Sequence, residues 1–414
     1  MRRKLIALLC MSFGLISYAA GRHVWAQQTP ADYAQEVGQL LADANRADIS
    51  DTEAEARRQR ARELAAKYAA TVAAHHPSGE DRVWLGYLYH LAGNTEKAIE
   101  TFRQVLDDKS LIEEFKQQAR LYLIRTLSEA GRVGEAESIL AEIPSTAFNA
   151  DEARAQGHEY LAIAYTKRGE LDKAVEHEKQ ALEAAQKSGL IPRIWLTGRS
   201  LAQLYVAVGR PEEAAKLLDE LKAYFDRQAR LAGPRPPKAI QTAIGQIETA
   251  IAQLKMIGRP APPLNVVKWI KETPTTLDAL RGKVVALEFF AAWCPDCRGL
   301  IPHLRDWYAR YTPKGLKILA VTRYYGYNGR EVGKASPAEE EAFLARFKQL
   351  HSLPYGTAID NGQQSMTTYH VRSIPHVVII DRSGRVRFVF TWHTNPSLCE
   401  YMIKRVLAES AESK

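Results

Sequence analysis

A repeated glycine is the feature that most constrains how this chain folds. Four glycines lie 38, 38 and 40 residues apart, and each has an alanine five residues after it and a leucine eight residues before it. These positions are Gly93, Gly131, Gly169 and Gly209, with Ala98, Ala136, Ala174 and Ala214, and with Leu85, Leu123, Leu161 and Leu201. Glycine permits a tight turn, and alanine lets two helices approach closely. Because one helical pair cannot bury its apolar face alone, the pattern predicts a stacked solenoid of helical hairpins.

Helix-forming composition extends this prediction over residues 31–257. Ala, Leu, Glu, Gln, Lys and Arg dominate there, and apolar residues recur at helical spacing. Residues 31–76 are expected to form one more helical pair, which caps the array. A Gly- and Pro-containing break at 233–237 should precede a last helix at 238–256, and the Pro-rich segment 258–263 predicts a domain boundary.

Residues 81–225 resemble the tetratricopeptide repeat family. The best match is the run Trp-Leu-Gly-Tyr-Leu-Tyr that begins at Trp84, followed by Gly93, Ala98 and Phe102. The period is longer than the family's usual value of about 34 residues. The third repeat also departs from the pattern, because Glu178 stands where Phe102 stands in the first. The resemblance implies a concave face that binds a protein or peptide. A passive spacer or a dimerisation arm is the alternative.

After residue 258 the pattern changes to short apolar runs that alternate with helix-compatible stretches. Strands are expected at 284–290, 316–322, 356–359, 376–380 and 386–391, and helices at 294–311, 337–350 and 397–409. Such alternation predicts an α/β sheet covered on both faces. The predicted fold is therefore an α-helical solenoid followed by an α/β domain.

The chemistry is expected at the segment 293–297, which reads Trp-Cys-Pro-Asp-Cys between the first of these strands and the first helix. Cys294 lies at the predicted helix N-terminus, where partial positive charge and free amide groups stabilise a thiolate. Two intervening residues let Cys297 reach back one turn and close a disulfide. We expect Cys294 to attack a partner disulfide and Cys297 to resolve the mixed disulfide.

Residues 258–409 resemble thioredoxins, and more closely the exported thiol–disulfide oxidoreductases of the TlpA/ResA type. The segment 287–302 carries most of the resemblance, and Ile374-Pro375 completes it. The resemblance implies that Pro375 is a cis-proline facing the cysteines. It also implies that Ile374 and Pro375 offer backbone groups to an extended substrate, and that Trp293 flanks the site. A redox-active disulfide then takes the place of a cofactor, and no organic cofactor or metal motif is present.

Glu288 lies six residues before Cys294 in an otherwise apolar strand, where thioredoxins carry a buried aspartate. The resemblance implies a carboxyl group with a raised pKa that relays a proton to or from Cys297. A strand carboxylate paired with a nearby lysine is the alternative. Two departures stand out. Asp296 brings negative charge near the thiols and favours a more reducing pair, and Leu300 stands where some ResA-type proteins carry a glutamate.

The first 26 residues predict an export signal. A basic start precedes an apolar run at 5–16, and Ala26 offers a small residue at a cleavage site. The run is shorter than the roughly 20 residues of a spanning helix, so cleavage is expected, with an uncleaved N-terminal anchor as the alternative. The predicted divisions are a signal peptide at 1–26, a repeat domain at 27–257 and a thioredoxin-like domain at 258–414. A periplasmic or other extracytoplasmic location follows.

The net charge of +8 is unevenly distributed. Residues 258–414 hold 22 Lys/Arg and 14 Asp/Glu, a balance of +8, whereas residues 27–257 carry a balance of −4. No dense Lys/Arg run is present, so nucleic acid is not an expected partner. The expected partners are protein thiols and disulfides, a membrane protein that donates electrons, and a protein or peptide on the repeats. A reductase direction is favoured.

Several other interpretations compete. A zinc site needs a second ligand pair, which the remaining candidates Cys399, His351, His370, His376 and His393 do not supply at ligand spacing. A thiol peroxidase shares the fold, but Ala291 stands where those enzymes carry Thr or Ser. An extracytoplasmic scaffold with a secondary redox domain also remains open. Cys399 is expected to be a buried small hydrophobe rather than a third redox thiol. The segment 324–336 is an insertion that either rims the substrate groove or is an ordinary surface loop.

Overall fold

A computed structural model describes residues 28–409, apart from 45, 47–48, 148 and 392–394. The predicted export signal lies outside these residues. An array of helices comes first, and a mixed β-sheet with helices on both faces follows it. The predicted fold class is therefore confirmed. In the described part of the chain, no helix has both the length and the apolar composition needed to cross a bilayer.

The helical array consists of consecutive antiparallel helices. Their bounds are α1 Pro30–Asp43, α2 Asp51–Ala74, α3 Glu80–Leu91, α4 Thr95–Asp107, α5 Glu113–Glu129, α6 Val133–Ala141, α7 Ala150–Arg168, α8 Leu171–Ser188, α9 Ile191–Ala207, α10 Pro211–Leu231 and α11 Lys238–Leu254. The four repeats correspond to the pairs from α3–α4 to α9–α10. Helices α1 and α2 form the predicted preceding pair, and α11 packs against α9 and α10.

The repeated glycines make the turns between paired helices, as predicted. All four have φ between 76° and 81°, the left-handed region in which glycine is favoured. In each repeat the residue after the glycine donates its N–H to the carbonyl of the residue four positions before the glycine, at 2.8–3.0 Å. This bond closes the first helix of each pair by satisfying one of its terminal carbonyls. The glycine therefore sets where the first helix of each pair ends.

The repeated alanines and leucines fill the seam between paired helices. All four repeat alanines and all four repeat leucines are buried. Small residues allow still closer contacts: a Cβ on Gly86 would lie 2.5 Å from the ring of Phe102. In the third repeat, Glu178 is buried at the position of Phe102, and its burial raises the pKa of its carboxyl group well above the usual range.

The C-terminal domain is a six-stranded sheet in the order β1-β4-β3-β2-β5-β6. The strands are β1 Val266–Ile270, β2 Val284–Phe289, β3 Leu316–Thr322, β4 Gly356–Asp360, β5 His376–Ile380 and β6 Val386–Thr391. Strands β2, β3 and β4 are parallel to one another, whereas β1, β5 and β6 pair antiparallel to their neighbours. The helices are α12 Pro295–Tyr311, α13 Pro337–Leu350, α14 Gln364–Thr368 and α15 Pro396–Ala408.

Two elements of this domain, β1 and α14, are not among the predicted ones. Strand β1 lies at the edge of the sheet, where only β4 pairs with it. Its exposed positions, Val267 and Lys268, give it no clear alternation of apolar and polar residues. Helix α14 is a single short turn whose first residues depend on Asp360, which accepts hydrogen bonds from the N–H groups of Ser365 and Met366. Each element therefore depends on residues outside its own segment, β1 on strand β4 and α14 on Asp360.

The two domains share a packed junction. Helix α15 and strand β6 lie against α7 and α9 of the array, and apolar residues from both sides belong to one continuous buried cluster. Side chains also bond across the junction: Gln203 donates to the carbonyl of Val389 at 3.2 Å, and Asn395 donates to that of Ile163 at 3.3 Å. Arg405 donates to the carbonyl of Ala207. The array is therefore fixed against the sheet.

The turn glycines generate a testable prediction. Gly131→Ala should lower the free energy of unfolding by about 1–2 kcal/mol, because alanine disfavours a left-handed backbone, here a φ of 76°. No atom lies within 4 Å of a Cβ at this position, so the loss would come from the backbone alone. Urea unfolding followed by far-UV circular dichroism measures it.

Gly134→Ala is the matched control. Gly134 lies inside α6, and a Cβ there also has nothing within 4 Å. Since alanine is favoured over glycine in a helix, this variant should be more stable by about 0.5–1 kcal/mol. Equal stability of the two variants would contradict this account of the repeat.

Candidate active site

Helix α12 begins at the carboxyl end of β2, and the turn between them carries the first thiol. Cys294 is the N-cap residue, and its N–H donates to the carbonyl of Ala291 at 3.0 Å. Pro295 occupies the first helical position, where its fixed φ suits a helix and its missing N–H costs nothing. The Cys294 side chain is therefore placed over the free amide groups of the helix N-terminus.

Hydrogen bonds to its sulfur favour the thiolate form of Cys294. The thiol of Cys297 bonds to this sulfur and lowers the pKa of Cys294, and the N–H of Cys297, 3.4 Å from Sγ, adds to the effect. Burial and the negative charge of Asp296 oppose it. The net direction is a pKa below that of an ordinary thiol, as expected for a cysteine at this place on a helix.

Cys297 lies one turn further along α12 and is the more deeply buried thiol. Cys297 is 1% exposed, against 5% for Cys294, and neither cysteine forms a disulfide in this structure. Burial raises the pKa of Cys297 well above its usual value, and the contact with Cys294 raises it further. The two sulfurs are thus close together but chemically unequal, because their surroundings lower the pKa of one thiol and raise that of the other.

Glu288 lies in β2, between Ala320 of β3 and Val377 of β5. It is 2% exposed, and burial raises its pKa to about 8, with a smaller contribution from the charge of Cys294. Its charge also contributes to the raised pKa of Cys297. Among the described residues no lysine or arginine forms an ion pair with Glu288, and no positive charge contributes to its pKa shift. The carboxyl group is buried behind the thiols.

The residues expected to bind substrate surround the first thiol. The Ile374–Pro375 peptide bond is cis, as the resemblance implies. The carbonyl oxygen of Ile374 lies 3.8 Å from Cys294 Sγ. Trp293 is half-buried, and its ring meets that of Tyr325 edge to face at 5.4 Å between centroids. Tyr325 belongs to the insertion 324–336, so this loop contacts the site rather than lying apart from it.

In the part of the chain that the structure describes, the geometry supports neither a metal site nor a third redox thiol. Within the described residues, no group of three or more His, Cys, Asp or Glu side chains could hold a metal ion. His393 lies outside those residues. Cys399 is fully buried in α15, as predicted, and burial raises the pKa of its thiol far above the usual value. A thiolate at Cys399 is therefore strongly disfavoured.

Comparisons with known proteins agree with this architecture. Residues 257–389 match the model of the AhpC/TSA family, and residues 91–159 and 195–220 match models of tetratricopeptide repeats. These matches and the sheet topology define a thioredoxin-like domain that follows a tetratricopeptide repeat region. Both predicted resemblances are confirmed.

Curated relatives narrow the class of the C-terminal domain. The thiol–disulfide oxidoreductase ResA of Bacillus anthracis is 30% identical over 130 residues, which cover 31% of this chain and 66% of ResA. Protein DipZ of Mycobacterium tuberculosis is 29% identical over 163 residues, which cover 38% of this chain and 22% of DipZ. The C-terminal domain is thus similar to thiol–disulfide oxidoreductases, although the chain spans less than two thirds of either relative.

Solved structures share the same region. A thiol–disulfide isomerase from Corynebacterium glutamicum aligns with a TM-score of 0.32 and 21% identity, covering 36% of this chain and 98% of that one. A second structure, described as a thioredoxin-like superfamily protein, aligns with a TM-score of 0.32 and 25% identity, covering 37% of this chain and 98% of that one.

The raised pKa of Glu288 predicts a pH dependence of stability. Between an unfolded pKa near 4.5 and the folded value of about 8, native Glu288 holds a proton that the unfolded chain has released. The free energy of unfolding of the reduced protein should therefore fall by up to about 1.4 kcal/mol per pH unit across that window. Below pH 4.5 and above pH 8 this group should contribute no slope.

Glu288→Gln removes the titration, so its stability relative to wild type should rise across the same window. Urea unfolding of the two reduced proteins between pH 4.5 and 9 measures the difference. Glu331→Gln, at an exposed loop position, is the control and should track wild type throughout. A difference between Glu288→Gln and wild type that does not change with pH would contradict the assigned pKa.

Proposed function

We propose that this protein is an exported thiol–disulfide oxidoreductase that reduces disulfide bonds in other proteins through Cys294 and Cys297. The observation that carries the proposal is the inequality of the two sulfurs at the start of α12. An N–H group and a thiol bond to Cys294, whereas Cys297 is buried beneath it. A nucleophile beside a resolving thiol is what disulfide exchange requires.

In the proposed reaction, the Cys294 thiolate attacks one sulfur of a protein disulfide. A mixed disulfide forms, and the other substrate sulfur leaves as a thiolate that takes up a proton. Cys297 then loses its proton and attacks Cys294 Sγ, which releases the second substrate thiolate. Two electrons and two protons pass to the substrate, and the Cys294–Cys297 disulfide remains.

Glu288 is proposed to relay a proton to or from Cys297. In the second step its ionised form accepts the proton of Cys297, after the mixed disulfide has removed the Cys294 charge that helps to keep the carboxyl group protonated. A buried thiol with a raised pKa is a poor nucleophile until a base removes its proton. Glu288 is the buried carboxyl group whose charge contributes to the raised pKa of that thiol, and its own pKa of about 8 suits proton exchange near neutral pH. It would act as a proton relay.

Substrate is proposed to lie across Trp293, Ile374 and Pro375 as an extended segment. The carbonyl oxygen of Ile374 near Cys294 Sγ gives such a segment a backbone acceptor at the site of attack. The repeats are proposed to bind a partner protein or peptide. Half-buried aromatic residues support this: Tyr87 of α3 stacks on Tyr122 of α5 with ring centroids 4.6 Å apart.

Export and direction complete the proposal. The sequence of residues 1–26 supports export, followed by action outside the cytoplasm. The reductase direction is supported by Asp296, because its negative charge opposes the Cys294 thiolate. A strong oxidant owes its high reduction potential to a stabilised reduced form, and Asp296 acts against such stabilisation. A reductase needs electrons from another protein, and a membrane donor of electrons is proposed.

Two other functions have weaker support. A scaffold whose redox domain is secondary would not require the unequal thiols. A thiol peroxidase would draw on the AhpC/TSA match. Ala291, however, gives no hydroxyl group beside Cys294, and peroxide consumption by the reduced protein separates that activity from disulfide exchange.

Trapping tests the proposed reaction. Reduced Cys297→Ser should accumulate a mixed disulfide between Cys294 and a disulfide-containing protein such as insulin, because no resolving thiol remains. Its turnover should fall to the uncatalysed rate, and dithiothreitol should release the adduct. Non-reducing electrophoresis and peptide mass mapping identify the linked cysteine.

Cys294→Ser is the matched control and should trap nothing, because the remaining thiols are buried and have raised pKa values. An adduct at Cys399, or equal trapping by the two variants, would contradict the assigned nucleophile.

A further inference from the structure

Hydrogen bonds to α13 hold the loop between β3 and α13 in one conformation. Glu340 of α13 is 3% exposed, and its carboxylate accepts hydrogen bonds from the N–H groups of Tyr325 and Gly326 at 2.8–3.1 Å. A buried carboxylate that receives backbone N–H groups holds them firmly, because losing such bonds leaves a buried charge unpaired. The start of the loop is therefore fixed to α13.

The far side of the loop is tied to the same point. The N–H of Gly333 donates to the carbonyl of Tyr325 at 2.9 Å, and those of Lys334 and Ala335 donate to the carbonyl of Gly326 at 2.8 Å. Gly326 has φ of 67°, and a Cβ there would lie 2.8 Å from the Cα of Gly333. The backbone of this loop closes on itself so tightly that only glycine fits at the crossing.

This clamp places the Tyr325 ring beside the reactive thiol. The ring meets Trp293, which directly precedes Cys294, edge to face. Burial raises the pKa of the Tyr325 phenol, whereas a hydrogen bond from Arg323 and its positive charge lower it. Tyr325 therefore forms part of the surface that a substrate of Cys294 meets.

Arg323 adds a positive charge to this surface. Its guanidinium group lies over the Tyr325 ring, 4.1 Å from the centroid, in a cation–π contact. Arg323 is half-buried and forms no ion pair with a carboxylate in the described part of the chain. Arginine offers a planar set of donors that matches a carboxylate. The guanidinium group also hydrogen-bonds to the Tyr325 phenol, which holds it in place, and its remaining donors can bind a carboxylate.

We propose that Arg323, Tyr325 and Trp293 form one wall of the substrate groove and select disulfide substrates with an acidic residue next to the reacting cysteine. This rests on the proposed function. The wall takes no part in electron transfer; it binds the substrate carboxylate while the same two-electron exchange proceeds at Cys294. Glu340 is a positioning residue, because it acts only through Tyr325 and Gly326.

Two peptides that differ only in charge test the preference. Each carries one cysteine in a mixed disulfide with 5-thio-2-nitrobenzoate, flanked on both sides by Glu in one peptide and by Lys in the other. Release of the coloured thiol by the reduced protein gives a rate constant for each. Wild type should favour the Glu peptide, and Arg323→Glu should favour the Lys peptide. The ratio of the two rate constants should shift by roughly two- to fivefold per charge removed, the range of a partly exposed ion pair.

Arg330→Glu is the matched control. It makes the same change of charge at an exposed position of the same loop, so it should leave the ratio close to that of wild type. Intrinsic differences between the peptides cancel because each peptide is compared across variants. Added salt should reduce the wild-type preference, since exposed charges are screened.

Glu340→Gln tests the clamp separately. It should bring the ratio toward one in a variant whose far-UV circular dichroism matches that of wild type. A Glu-to-Lys rate ratio that is the same in wild type and in Arg323→Glu would overturn the proposed selectivity and leave disulfide exchange intact. The same holds if Arg330→Glu changes the ratio as much as Arg323→Glu. Failure to react with either peptide would overturn the proposed function as well.

Discussion

The start of α12 is the constraint on which the rest of the active site depends. Pro295 begins the helix immediately after Cys294, so the first thiol caps the helix and the second follows one turn later. One sulfur receives hydrogen bonds from an amide and a thiol, and the other is buried in the core. A uniform environment would give two equivalent thiols and no order of attack. In the proposed exchange, the helix terminus therefore determines which sulfur attacks first and which completes the reaction.

The sheet and the array hold this terminus in position. Strand β2 is buried along its whole length between β3 and β5, which places Glu288 behind the thiols and α12 at the strand's carboxyl end. Helix α15 packs on the same face and joins the redox domain to α7 and α9. A site built on such elements keeps its geometry better than one on free loops. The fixed junction also means that a partner bound to the repeats is held in a constant relation to Cys294.

Local sequence patterns predicted much of this structure, whereas features that depend on contacts between distant segments could not be predicted from the sequence. The glycine, alanine and leucine period predicted the hairpins because each residue acts within its own repeat. The Cys294 site was predictable because a strand, a proline and a helix occur in succession. By contrast, β1 exists through its pairing with β4. The position of Tyr325 depends on Glu340 of the next helix, which accepts its backbone N–H. Glu340 is one of three consecutive glutamates, and nothing in the sequence indicates that this one is buried.

The reduction potential of the cysteine pair decides whether Cys294 and Cys297 act together as a reductant. The protein would be equilibrated in glutathione buffers, and its thiols counted by mass spectrometry. We expect one two-electron transition near thioredoxin's value of about −270 mV, in which Cys294 and Cys297 together lose two hydrogens and Cys399 stays a thiol. A potential near −120 mV would contradict the reductase direction. A glutathione adduct on Cys294 with no Cys294–Cys297 disulfide would contradict the central claim itself.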